Sequence, residues 1–203
     1  MARQDNDIIR PRLILASASP RRSFFLKELG LQFDILPTEI VEKVKKGETP
    51  VEFAGRLAVE KALAALKKQK RSGDKTVYSL GADTIVVLGG KIYGKPRHKT
   101  EATAFWHELG GQTHQVITAF AIAEFPDKII CVETATTAVT LKRPSKREVG
   151  EYLETGEPLD KAGAYAAQGI GKKFVEKIEG SVTNVIGLPL EALIPWLKKL
   201  KLL

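Results

Sequence analysis

Two hydroxyls and two guanidiniums fall within one six-residue stretch, Ser17-Ala18-Ser19-Pro20-Arg21-Arg22. The apolar run Leu13 to Ala16 before it reads as a strand, and Ser19-Pro20 reads as an N-cap with proline at the first helical position. A helix start offers free N–H groups and the positive end of its dipole. Hydroxyls and guanidiniums beside it make a phosphate cradle, and a polyphosphate is the fitting ligand. A capped helix with solvated arginines explains the same residues without any ligand. Further along, Gly81-Ala82-Asp83-Thr84 interrupts an otherwise apolar strand. A carboxylate buried there is costly alone, so Asp83 is paired with a lysine, metal-bound or catalytic.

Gly89, Gly94 and Lys95 match the GxxxxGK part of a nucleotide-binding P-loop. Pro96 stands where that motif requires a hydroxyl for magnesium, and it would block the helix that should begin there. A hairpin ending in Gly-Lys-Pro accounts for these residues, and Lys95 can still point its charge towards the Asp83 strand. Glu60 and Lys61 follow Arg56 on a helix, while Lys161 and Gln168 flank Gly163 and Gly169 in a late loop. Singly, each is an ordinary surface group. Gln168 differs in that a side-chain amide between small residues and glycine suits close reading of a base edge.

The elements that must hold these groups alternate between strand and helix. The first helix carries Phe24, Phe25, Leu26 and Leu29 on its apolar face and stops at Gly30. A short strand is expected at Phe33 to Pro37. Thr49-Pro50-Val51-Glu52 is a capping box opening a helix through Leu57, Ala58, Ala62 and Leu66, with the basic run Lys67 to Arg71 at its negative end. Thr76 to Leu88 reads as a buried strand turning at Gly89-Gly90 into Lys91 to Tyr93. A helix follows over Thr100 to Leu109, then long strands over Thr113 to Ala123 and Lys128 to Leu141. A second capping box at Ser145 to Glu148 opens a helix to Thr155, followed by a glycine-rich loop, a strand at Phe174 to Ile178 and a last helix from about Pro189. Hairpins together with crossover helices predict one α/β unit with a mixed sheet. It spans residues 13–203, behind a polar N-terminal extension over residues 1–12.

Composition narrows the classes. Of 203 residues, 43% are hydrophobic and 28% charged, which fits neither a disordered nor a membrane chain. Cys131 is the single cysteine, and with His98, His107 and His114 it gives no zinc-type spacing. No uncharged run approaches the ~20 residues of a membrane helix, and the polar start has no signal-peptide core, so a cytoplasmic protein is expected. The net charge of +8 favours anionic partners. Its basic runs are scattered and lack the interleaved aromatics of a single-strand binding platform, so no stable nucleic-acid complex is expected.

Taken together, Leu15 to Arg22, Glu60-Lys61-Ala62, Gly81 to Thr84, Gly94-Lys95-Pro96, Gly111 to His114, Asp160 to Tyr165 with Gln168-Gly169, and Asn184 to Pro189 resemble the Maf family of nucleoside triphosphate pyrophosphatases in order and spacing. The resemblance implies an elongated, two-lobed α/β fold of the inosine triphosphate pyrophosphatase kind with a nucleotide cleft. It implies hydrolysis of a nucleoside triphosphate to monophosphate and diphosphate with a divalent cation, Mg²⁺ or Mn²⁺. Asp83 matches the family's proton acceptor. Ser17, Arg22, Lys61, Lys95 and Lys161 would hold the phosphates, and Glu42 and Glu60 join Asp83 as candidate metal ligands. Arg21, Thr84 and Gln168 match the positions tied to substrate choice, in the form of the dTTP and UTP branch. Ala166-Ala167 replaces the Gly-Ile common before that glutamine. A 7-methyl-GTP pyrophosphatase, or a regulatory nucleic-acid-binding protein suggested by the charge and the family's association with septum formation, are the competing expectations. A homodimer is compatible with the enzyme reading.

Overall fold

The computed structural model describes residues 11–69 and 76–203. Most of the expected N-terminal extension, and Lys70 and Arg71 of one basic run, lie outside the described residues.

Seven strands form one mixed sheet: β1 (Arg12–Leu15), β2 (Asp34–Ile35), β3 (Val77–Leu88), β4 (Lys91–Tyr93), β5 (Thr113–Glu124), β6 (Lys128–Leu141) and β7 (Val175–Glu179). Their order is β2-β1-β3-β5-β6-β7, with β4 also paired to β3. β1 runs parallel to β2 and β3, reached through α1 (Pro20–Glu28) and α2 (Pro50–Lys67), and every other pairing is antiparallel. This is the mixed α/β sheet expected from alternating crossovers and hairpins. The remaining helices are α3 (Lys99–Leu109), α4 (Lys146–Glu154), α5 (Val182–Ile186) and α6 (Leu190–Lys199), with short 3₁₀ turns over Glu157–Asp160, Ala162–Ala164 and Gly169–Phe174.

Alternation along the strands sends side chains to two faces, and each face is covered. On one, Ala54, Leu57, Ala58, Ala62 and Leu66 of α2 pack on Ile14, Ile85, Ile117 and Ala121. On the other, Phe25 and Leu26 of α1 and Leu193 and Leu197 of α6 pack on Leu13, Leu15, Leu80 and Phe120. A third cluster gathers Tyr93, Trp106, Tyr152 and Phe174 around Val86, Val116 and Val139, at the other end of β3, β5 and β6. The first two clusters make one lobe and the third makes the other.

Both capping boxes form: the Thr49 and Ser145 hydroxyls accept from the Glu52 and Glu148 N–H groups, whose carboxylates accept in return. Ser19 takes the N-cap position of α1 but makes no side-chain cap, and instead donates its own N–H to the Ser17 hydroxyl at 3.2 Å. Phe24 departs from its expected place in the apolar face: it is 54% exposed, because the helix turns it outward while Phe25 and Leu26 face the sheet. The expected strand over Phe33 to Pro37 shrinks to two residues at an exposed sheet edge. No helix among the described residues is long and apolar enough to cross a membrane.

Candidate active site

The loop after β1 delivers the cradle. Arg22, in the first turn of α1, is only 9% exposed. Its Nε donates to the Gly187 carbonyl at 2.9 Å, Nη1 to the Ser17 hydroxyl at 3.0 Å and Nη2 to the Thr84 hydroxyl at 3.1 Å. Among the described residues it makes no salt bridge to a carboxylate. Burial pushes the guanidinium down from its usual pKa, and the field of Asp83 opposes that shift. A buried cation held only by neutral oxygens is an incomplete ion pair, which an anion in the cleft would complete. Ser17 accepts from Arg22 and from the Ser19 N–H, so its own proton is available to a phosphate oxygen.

Asp83 faces the cleft from β3, buried, with Lys61 Nζ donating to its Oδ1 at 2.6 Å. The same ammonium lies 2.6 Å from Glu42 Oε1, so two carboxylates converge on one position. Lys61 reaches Asp83 because α2 presses directly on β3. A Cβ on Gly81 would lie 2.2 Å from the Ala58 carbonyl oxygen and 2.6 Å from the Ala62 nitrogen. Glu60, one residue along the helix, points elsewhere: its Oε1 lies 3.0 Å from Arg56 Nη1, which with Glu48 forms a separate ion-pair group. The structure therefore gives no support to Glu60 as a metal ligand beside Asp83, since consecutive helical residues project about 100° apart.

The late loop supplies the opposite wall. Lys161 Nζ donates to the Glu157 carbonyl at 2.7 Å and bonds the Asp160 carboxylate, while Arg21 reaches Asp160 from the first lobe at 3.4 Å. Burial acts to raise Asp160, but these two cations outweigh it and hold the carboxyl below its ordinary range. Glu157 has a structural task that its position after Gly156 did not announce. Its carboxylate accepts from the Ile170 and Gly171 N–H groups at 3.1 and 2.8 Å, fixing the turn that carries Gln168. Gly169 in that turn has φ +63°, a conformation that favours glycine, and an added Cβ would lie 2.2 Å from Glu157 Oε1 and displace that carboxylate.

Behind the wall, Tyr165 Oη and His114 Nε2 share a buried hydrogen bond of 2.7 Å. Burial pushes the histidine pKa from 6.5 down to about 4. The folded chain thus keeps the ring neutral where the unfolded chain takes up a proton. Its contribution is complete above about pH 6.5 and is lost as pH falls from there towards about 4. We expect His114→Gln to flatten the dependence of unfolding free energy on pH between about 6.5 and 5, by up to about 1.4 kcal/mol per pH unit. Denaturant titrations across that window check this, and equal slopes in the two proteins would remove His114 as the source.

These elements enclose a cleft of about 780 Å³ between the lobes, a volume suited to a nucleotide-sized ligand. Ser17, Arg21, Arg22, Glu42, Lys61, Asp83, Thr84, Lys95, Lys161 and Gln168 all line it, and Glu60 does not. Lys95 sits next to Gly94, whose carbonyl accepts from the Gly163 N–H at 3.1 Å and ties the β4 hairpin to the late loop. The Maf-like protein model matches residues 12–200. The chain belongs to the Maf-like family. This Maf-like chain is 46% identical over 178 residues to the dTTP/UTP pyrophosphatase of Citrifermentans bemidjiense, covering 88% of this chain and 90% of that protein. It is 44% identical to the Aliivibrio fischeri protein of the same name, covering 88% and 93%. With the Aquifex aeolicus dTTP/UTP pyrophosphatase the identity is 41% over 192 residues, covering 95% and 97%. A solved dITP/XTP pyrophosphatase from Mycobacterium abscessus aligns over 93% of this chain and 97% of its own at 14% identity and a TM-score of 0.41, too loose a match to carry an argument.

Proposed function

We propose that this Maf-like chain hydrolyses nucleoside triphosphates, dTTP and UTP foremost, to the monophosphate and diphosphate. The observation that carries the reading is one cleft holding a buried, carboxylate-free Arg22 beside a buried Asp83. A phosphate chain answers the first, and a water molecule to be deprotonated answers the second. Relatives named dTTP/UTP pyrophosphatase at 41 to 46% identity over most of both chains support the choice of substrate.

In this mechanism the oxygen of water attacks the α-phosphorus, the bond from that phosphorus to the bridging oxygen breaks, and diphosphate leaves with the electron pair. Asp83 accepts the proton released by the attacking water. Ser17, Arg22, Lys61, Lys95 and Lys161 bind the phosphate oxygens and neutralise charge growing on the leaving diphosphate. Among the described residues no three His, Cys, Asp or Glu side chains form a complete metal cage. Asp83 and Glu42, which here share the Lys61 ammonium, are nevertheless the donor type of a hard cation that takes one or two carboxylates and completes its shell with substrate oxygens. These two residues would hold Mg²⁺ or Mn²⁺, which supplies charge neutralisation on the phosphates. Gln168, Arg21 and Thr84 stand at the cleft to select the substrate.

Purified protein incubated with dTTP or UTP and Mg²⁺ is expected to release diphosphate, and chelation by EDTA to stop it. Orthophosphate as the first product, or full turnover in excess EDTA, would overturn the proposal.

A further inference from the structure

Strand register places Thr84 opposite Thr118 across β3 and β5, and their hydroxyl oxygens lie 3.0 Å apart. Taken alone, either could donate. Thr118 is fully buried, and its Oγ1 is 2.9 Å from the backbone carbonyl of Asn184, which can only accept. A hydroxyl has one proton, so Thr118 spends its proton on Asn184, and Thr84 must donate to Thr118. The Thr84 oxygen is left with lone pairs alone, and Arg22 Nη2 donates to it at 3.1 Å. The ring closes through the α5 turn. The Gly187 N–H donates to the same Asn184 carbonyl at 2.9 Å, and the Gly187 carbonyl accepts from Arg22 Nε at 2.9 Å. Asn184 is itself pinned, its Nδ2 donating to the Val116 carbonyl at 3.1 Å and to Thr137 Oγ1 at 2.8 Å.

We infer that Thr118 is a positioning residue: its hydroxyl fixes the proton direction of Thr84 and so holds the Thr84 oxygen as an acceptor against Arg22. Without Thr118 the Thr84 proton loses its partner and is free to rotate towards Arg22, where it opposes another donor. The guanidinium then loses one of the three contacts that aim it at the cleft. The inference rests on the pyrophosphatase reading for its kinetic test but not for its spectroscopic one.

The kinetic test compares kcat/KM for dTTP, UTP and a purine triphosphate in Thr118→Val, Thr118→Ser, Thr84→Val and the double valine variant. Losing one hydrogen bond to a charged group predicts about a tenfold fall for Thr118→Val. Thr118→Ser, which restores the hydroxyl, is expected to stay within about twofold of wild type, and the double variant within about twofold of Thr84→Val. The inference is overturned if folded Thr118→Val keeps its kcat/KM, if the serine variant falls as far as the valine one, or if the two valine losses multiply. The Asn184 carbonyl keeps the Gly187 N–H in Thr118→Val, which favours folding. If that variant does not fold, Thr118→Ala takes its place in each comparison. Independently of activity, the Arg22 Nη2–H signal in ¹⁵N NMR, whose acceptor is Thr84, is expected to exchange with water about fivefold faster in Thr118→Val than in wild type. Unchanged exchange overturns the inference, whereas wild type that releases no diphosphate overturns only the pyrophosphatase reading.

Discussion

Asp83→Asn is expected to lower kcat for dTTP by about 10²- to 10⁴-fold, the range typical of removing a general base. The amide matches the carboxylate in size, so packing around the buried position on β3 is preserved. It neither accepts a proton from water nor balances a cation. Lys61, which shares its ammonium between Asp83 and Glu42 at 2.6 Å each, keeps Glu42 in the variant and is not left as a bare buried charge. The fold should therefore survive, and the loss should fall on kcat far more than on KM, because the cations proposed to hold the phosphates remain. Steady-state kinetics alongside thermal unfolding test this. A loss below about tenfold with an unchanged Tm would remove Asp83 from proton transfer.

Gly81→Ala should be strongly destabilising. Its Cβ would meet the backbone of α2 at Ala58 and Ala62, at 2.2 and 2.6 Å, and backbone held in a helix cannot step aside as a flexible side chain can. Helix and strand must separate, at a cost of about 3 kcal/mol, the upper part of the usual overpacking range. For a chain of this length that corresponds to a fall in Tm of roughly 6 to 12 °C. Activity should fall as well, since the same separation draws Lys61 away from Asp83. Gly150→Ala provides the contrast: that glycine lies in α4 with no atom within 4 Å of an added Cβ. There the same methyl should stabilise by about 0.5 to 1 kcal/mol. Similar Tm changes in the two variants would refute the close-approach argument.

Features written in a few consecutive residues were legible before any coordinates. The two capping boxes, the helix start after Ser19 and the buried position of Asp83 in an apolar strand all depend on near neighbours. Contacts made across the fold were not legible. Arg56 and Glu60 stand four apart on one helix and could be read as a pair, but nothing near Lys61 says that it turns inwards to Asp83. Thr118 reads as one hydroxyl in an apolar run until strand register brings it opposite Thr84. Glu157 reads as a loop acid until the Gln168 turn, more than ten residues later, folds back onto it. Phe24 shows the same limit in the core, because the way α1 lies on the sheet buries Phe25 and Leu26 and turns Phe24 outward.

The strands β3, β5 and β6 place side chains in both lobes: β3 gives Leu80 to one and Val86 to the other, β5 gives Phe120 and Val116, and β6 gives Cys131 and Val139. The walls of the cleft are thus joined by three hydrogen-bonded ribbons and not by a linker that could swivel. Any closing on a substrate would have to flex these ribbons, as a leaf spring bends. The same ribbons tie the packing of one lobe to that of its neighbour.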